Sequence, residues 1–336
     1  MQKFSPVILF MITLIAILFT ANAKANDQTD PLPSWNESST KKNIIDFVKQ
    51  VTDKTNSHYV PPMDRIATFD NDGTLWVEQP IYTQFIFAID RLKAMSAQHP
   101  EWKTQKPYSL ILSGDKKALA ALNVQDMERI MAVTHAGMSV EVFNKLAQDW
   151  LQKAKSPRYD RLYTQLIYQP MLEVMNYLRQ NDFNIYIVTG GGQDFVRAFS
   201  DKTYHILPRQ VIGTAGKTKY TYQNKQPVLI KLPEVLLVDD KAGKPEAINL
   251  FIGQKPIIAF GNSDGDKEML EWTQSNARPH LMLLVHHDDA AREYAYGPES
   301  KVGTFSDALM NEANNQHWQV ISMMHDWKTI FPAVIK

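Results

Sequence analysis

Residues 65–76 read RIATFDNDGTLW. Ile66-Ala67-Thr68-Phe69 is a short, largely apolar run without polar alternation, as expected of a strand covered on both faces in a parallel sheet. It ends in Asp70-Asn71-Asp72-Gly73-Thr74. Asp-Gly is ordinary turn chemistry, but no turn requires a second carboxylate two positions earlier. In open α/β sheets, ligands bind beyond the carboxyl ends of the strands. The pair Asp70 and Asp72 is therefore a candidate for chemistry rather than for turning alone.

Working outward, residues 26–38 form a polar, proline-containing lead-in, and STKKNIIDFVKQVTDK (39–54) has its apolar residues at helical spacing. After the Asp70 strand the character changes. IYTQFIFAIDRLKAMSAQ (81–98), GDKKALAALNVQDMERIMAV (114–133) and SVEVFNKLAQDWLQKAK (139–155) are each helix-like, the last with Ser139 placed as an N-cap. Strands then return in alternation with helices. PMLEVMNYLRQND (170–182) is a helix with Pro170 at its first position, and FNIYIVT (183–189) is a buried strand running into Gly190-Gly191-Gly192. Residues 210–232 read as a hairpin around Asn224-Lys225. KPEAINLFI (helix), PIIAFGNSDGD (strand and loop), KEMLEWT (helix) and HLMLLVHH (strand) complete the pattern. The alternation predicts an α/β class, a doubly wound core with a parallel sheet. The expected organisation is a core over residues 26–79 and 168–336 with an all-helical insertion over 80–167.

The first 25 residues are of another kind. Lys3, an apolar run from Val7 to Phe19 and Ala23-Lys24-Ala25 have the anatomy of a cleaved secretory signal peptide. The run is shorter than the ~20 residues of a spanning helix. An exported protein, periplasmic or secreted, without a stable membrane anchor after cleavage near Ala25 is expected. Removal of residues 1–25 leaves 34 basic and 36 acidic residues, so no global field points to nucleic acid. The chain has no cysteine, which excludes disulfides, thiol chemistry and cysteine metal sites.

The strand ends collect Asp70, Asp72, Thr189 and the GNSDGD loop, and a helix opens at Lys244. Carboxylates, a hydroxyl and a lysine on one edge suit phosphoryl transfer through an aspartate with a hard divalent cation. The motifs resemble those of the haloacid dehalogenase superfamily of phosphatases. Asp70-Asn71-Asp72-Gly73-Thr74 resembles its first motif, DxDG[T/V], Thr189 with the following glycines its second, Lys244 its third and Gly261–Asp266 its fourth. They run in family order from about residue 64 to 270, with the helical block between the first and second. That is where the phosphoserine-phosphatase-like branch carries its helical C1-type cap.

The resemblance implies a phosphomonoester hydrolase with Mg²⁺ as cofactor and a small phosphorylated metabolite as substrate. Asp70 is then the nucleophile that forms an aspartyl-phosphate, and Asp72 the general acid and later base, its carbonyl helping to hold the metal. Thr189, Gly190 and Lys244 are the expected phosphate contacts, with Lys241 as the alternative lysine. Asp70, Asp72, Asn262 and Asp266 are the expected metal set. The family often has Gly-Asp where this chain has Gly261-Asn262, so either one charge is lost or Asp264 or Asp266 supplies it. Glu78 and Trp76 are candidates for substrate contact, and the strand-end pair His286 and His287 reads as structural. The alternatives are a phosphotransferase or mutase on the same fold and a non-catalytic exported binding protein.

Overall fold

The computed structural model describes residues 30–333, and the predicted leader lies outside them. Helix α1 (Ser39–Thr52) starts where the Ser38 side chain accepts from the Lys41 N–H, and it buries Ile44, Phe47, Val48 and Val51. Strand β1 (Ile66–Phe69) follows, buried at every position.

The segment after β1 holds α2 (Thr83–Met95), α3 (Tyr108–Leu112), α4 (Lys116–Ala120), α5 (Val124–His135) and α6 (Val140–Leu151). Two expectations are corrected here. The stretch 114–133 is two helices, because Asn123 caps α5 reciprocally with Asp126 and so begins a new helix. The insertion is also not wholly helical: β2 (Lys155–Ser156) and β3 (Arg161–Leu162) pair as a small antiparallel ribbon closed by Asp160 at φ +48°.

The core resumes with α7 (Gln169–Gln180), β4 (Asn184–Gly192), α8 (Gln193–Arg197), α9 (Ser200–Tyr204), β5 (Val211–Gln223) and β6 (Gln226–Leu237). Then come α10 (Gly243–Phe251), β7 (Ile258–Gly261), α11 (Lys267–Gln274), β8 (Leu281–His286), α12 (Asp307–Asn315), β9 (Gln319–Ser322) and α13 (Met323–Asp326).

One seven-stranded sheet organises these elements in the order β6-β5-β4-β1-β7-β8-β9. All neighbours are parallel except β5 and β6, which form the expected hairpin with Asn224 and Lys225 both at positive φ. The order places β1 centrally, between β4 and β7, so the carboxyl ends of these three strands meet. Phe69 pairs with Phe260 on β7, and their rings stack with centroids 4.4 Å apart. This is a doubly wound α/β core of Rossmann-like type with a helical cap region.

The cap has its own small core of Phe85, Ala88, Ile89, Leu92, Trp102, Ile111 and Ile130. Phe87 of α2 and Phe143, Ala147 and Leu151 of α6 instead join the main core. The long hairpin reaches the cap through backbone: Gly137 N–H donates to Lys231 O and Lys231 N–H to Met138 O, each at 2.9 Å. Among the described residues no helix is long and apolar enough to cross a membrane.

Because Phe69 is fully buried and stacked at the centre of the sheet, Phe69→Ala is expected to cost about 3–5 kcal/mol. Urea unfolding of the two proteins measures it, and a loss under about 1 kcal/mol would contradict the packing described.

Candidate active site

Asp70 sits one residue past β1, held by its N–H to Phe260 O (2.9 Å). The Lys244 ammonium donates to Asp70 Oδ1 (2.7 Å), Asp266 Oδ1 (2.6 Å) and Val188 O (2.8 Å). All three of its hydrogens are thereby used. Lys244 lies at the start of α10, whose Ala247 and Ile248 are buried. Burial alone would lower this ammonium, yet Asp266 and Asp70 hold it above the ordinary lysine value. Lys241, the alternative, is exposed and meets the site through its backbone: its N–H donates to Gly265 O and its carbonyl accepts from Lys244 N–H, each at 3.0 Å.

Burial, with Asp266 beside it, pushes the Asp70 carboxyl well above the usual range, and Lys244 opposes the shift. The Asp72 carboxyl is also raised by burial, moderated by the Trp76 indole N–H, which donates to Asp72 Oδ1 at 2.8 Å. A Cβ built on Gly191 would lie 3.2 Å from Asp72 Oδ2 and 3.3 Å from Thr189 Oγ1, so Asp72 leans against the end of β4, where its pairing with β5 shifts register. Thr189 is fully buried, and its hydroxyl oxygen accepts from Gly191 N–H (3.0 Å). Gly190 is exposed at this strand end.

After β7 the chain turns through Gly261–Asp266. Asp266 Oδ2 accepts from Asn262 N–H (2.9 Å) and Ser263 N–H (3.0 Å), while Oδ1 takes Lys244. Both oxygens are therefore committed to shaping the loop and holding the lysine. Asp264 points elsewhere, accepting from Ser306 N–H (3.0 Å). Asn262 Oδ1 accepts from the Thr74 hydroxyl (3.1 Å), and its Nδ2 donates to Glu78 Oε1 (2.7 Å).

Trp76 is not available to a substrate: its ring is 1% exposed, stacked on Phe199 at 4.5 Å. Glu78 is 2% exposed and accepts from the Tyr296 hydroxyl (2.6 Å) as well as from Asn262. Burial raises its carboxyl well above the usual value, against the pull of the Tyr296 hydroxyl. His287 is a prop, with Nε2 2.7 Å from Gly73 O and Nδ1 3.1 Å from Glu293 Oε2. His286 is half-buried against Phe305.

Several residues at the site were not anticipated. Gln84 of α2 accepts from Gly192 N–H (2.7 Å) and faces His135 Nε2 of α5 at 3.2 Å. Burial, with Lys231 and Arg91 nearby, pushes the His135 imidazolium down to about 3. The ring is thus neutral, and Gln84 Nε2 donates to it. Tyr296 and Asp239 were also missed. Asp239 stands in the sequence close to Lys241 and Lys244, which is the signal that could have found it.

The chemical capacity of this edge is clear: an aspartate held by a buried lysine, a second carboxyl kept more basic than usual, and oxygen ligands beside both. A family model, haloacid dehalogenase-like hydrolase, matches residues 67–271. The chain belongs to this family. As a haloacid dehalogenase-like hydrolase, it has the hydrolase fold and the family's general capacity for phosphorylated substrates. No curated protein matches the chain. Among solved structures it is similar to a functionally unknown protein from Anaerococcus prevotii DSM 20548 (15% identity, TM-score 0.56, covering 88% of this chain and 96% of that one). A protein of unknown function from Bordetella pertussis Tohama I shares 15% identity over 76% of this chain and 97% of its own, with TM-score 0.48. A phosphoserine phosphohydrolase-like protein from Francisella tularensis subsp. tularensis SCHU S4 shares 13% over 75% and 98%, with TM-score 0.38.

Asp239 is fully buried, and burial pushes its carboxyl up to about 7 despite the neighbouring Lys244. A carboxyl raised on folding stabilises the fold below its unfolded value of about 4 and loses that contribution as pH rises through the folded value. Unfolding free energy in metal-free buffer should therefore fall between about pH 4 and 7, by roughly 4 kcal/mol from this group. Asp239→Asn should flatten that decline in urea titrations across the range. An unchanged slope would place the pH dependence elsewhere.

Proposed function

We propose that this protein is an exported, Mg²⁺-dependent phosphomonoester hydrolase of the phosphoserine-phosphatase-like branch with a C1-type cap, acting on a small phosphorylated metabolite. The observation that carries the reading is the placement of Asp70 and Asp72 at the central strand end, one bonded to Lys244 and the other against the Thr189–Gly191 end of β4. The export element rests on residues 1–25 of the sequence alone.

In the proposed reaction, an Asp70 oxygen bonds to phosphorus as the ester P–O bond breaks. The leaving alkoxide takes the proton from Asp72, whose raised carboxyl suits an acid. Water then attacks the aspartyl-phosphate, giving its proton to Asp72; phosphate leaves and the Asp70 carboxylate is restored. Lys244 opposes the rise of the Asp70 carboxyl and aims it, while the Thr189 hydroxyl and the Gly190 N–H would meet phosphate oxygens.

The donor chemistry fits a hard cation. Asp70, Asp72 and Glu78 are buried carboxyls with raised pKa values, and the one ammonium that Asp70 contacts is shared with Asp266. That leaves negative charge that a divalent ion would offset. Asp70, the Asp72 carbonyl and Asn262 would hold it, whereas Asp266 supports the loop instead of ligating. Among the described residues no three His, Cys, Asp or Glu side chains form a metal-ligand group by themselves. When bound, the ion supplies charge neutralisation between the carboxylate and the phosphate.

Phosphate release from a panel of small phosphomonoesters should require Mg²⁺ and stop in EDTA; undiminished release in chelator would refute the metal element. Asp70→Asn should lower kcat by at least ~10³-fold while circular dichroism stays unchanged. A variant near the wild-type rate would remove Asp70 from the nucleophile role.

A further inference from the structure

Glu78 is out of place for an ordinary structural carboxylate. It is 2% exposed, carries no ion pair among the described residues, and is met by two neutral donors, Asn262 Nδ2 (2.7 Å) and the Tyr296 hydroxyl (2.6 Å). An ionised carboxylate in such surroundings is costly unless charge nearby compensates it. The slot is built tightly around it. Gly73 (φ +79°) has no room for a Cβ beside Asn262 and Glu78, and Gly303 (φ +61°) has none beside Glu78.

The hydrogen bond also fixes the Asn262 amide. Nδ2 donates to Glu78 Oε1, which the Tyr296 hydroxyl also meets, and Oδ1 lies on the Thr74 side. Asn262 is itself 1% exposed and anchored through its N–H to Asp266. We propose that Glu78 and Asn262 work as one unit toward the divalent cation: Asn262 presents the oxygen and Glu78, behind it, supplies the negative charge and holds the amide's orientation. Glu78 is thus a positioning residue for the cation site and not a substrate contact.

This inference rests on the metal reading above, and binding of Mn²⁺ alone separates the two. Free Mn²⁺ is followed by electron paramagnetic resonance during titration of the full chain. Wild type should bind, and Glu78→Gln should raise the Kd by about 10-fold or more. In the double variant Glu78→Gln/Asn262→Asp the charge moves across the pair and the hydrogen bond reverses, with the introduced glutamine amide donating to the introduced carboxylate. Its Kd should return to within about threefold of wild type.

Wild-type affinity in Glu78→Gln overturns the inference while leaving the metal reading standing. A folded double variant as weak as the single variant also overturns it, because the loss would then come from the slot's shape and not from its charge. Should Glu78→Gln fail to fold, the double variant decides alone by the same threefold limit. Wild type that binds no Mn²⁺ overturns the metal reading, and this inference with it.

Discussion

A buried ammonium must find an acceptor for each of its hydrogens, and Lys244 finds its three on three different parts of the sheet: the residue after β1, the backbone of β4 and the loop after β7. That requirement fixes the strand ends relative to one another more tightly than apolar packing alone, which is non-directional. It also explains why the loop after β7 is so fully hydrogen-bonded. Asp266 can serve Lys244 with one oxygen because its other is held by the Asn262 and Ser263 amides. Losing either carboxylate would leave Lys244 paired with the other but with one hydrogen of a buried ammonium lacking its acceptor.

The same geometry leaves the edge short of positive charge. Asp70, Asp72, Glu78, Asp239 and Asp266 are all at most lightly exposed, and Lys244 is the ammonium at their centre. Burial raises the carboxyls of Asp70, Asp72, Glu78 and Asp239. A polypeptide selected only for stability would replace some of these groups by amides. Retaining them makes sense if the cluster exists to hold a cation and an anion together, as the proposed reaction demands.

The alternation of strands and helices was legible because strands of a parallel sheet are nearly continuous apolar runs, and Ile66–Phe69 and Ile258–Gly261 have that form. The hairpin was legible from Asn224-Lys225. Asp70, Thr189 and Asn262 were legible as residues at strand ends, and Lys244 as the start of a helix whose setting resembles the third family motif. What lay beyond reach depends on distant contacts. Tyr296 and Gly303 come from an irregular segment more than 200 residues from Glu78, with no period to place them. Trp76 read as a candidate substrate contact, but its indole serves Asp72 from within the core. The break at Asn123 could have been read, since Asn123 and Asp126 have capping-box spacing.

Beside the apolar packing of Phe87, Phe143, Ala147 and Leu151 into the main core, two polar ties between cap and core differ in kind. At the hairpin, backbone pairing of Lys231 with Gly137 and Met138 makes β6 continuous with the cap. At the end of β4 the tie is a side-chain amide, Gln84 Oε1 accepting from Gly192 N–H, backed by a neutral His135. A single neutral hydrogen bond contributes about 1 kcal/mol, so this second tie costs little to break by itself. The proposed chemistry needs that asymmetry. Attack on phosphorus gains from exclusion of water, whereas the second step must admit one water molecule to the aspartyl-phosphate. A light polar tie at the Thr189–Gly192 end of β4 can yield to water locally while the packing of Phe87, Phe143, Ala147 and Leu151 holds the cap, without moving Asp70 or Asp72 from the central strand end.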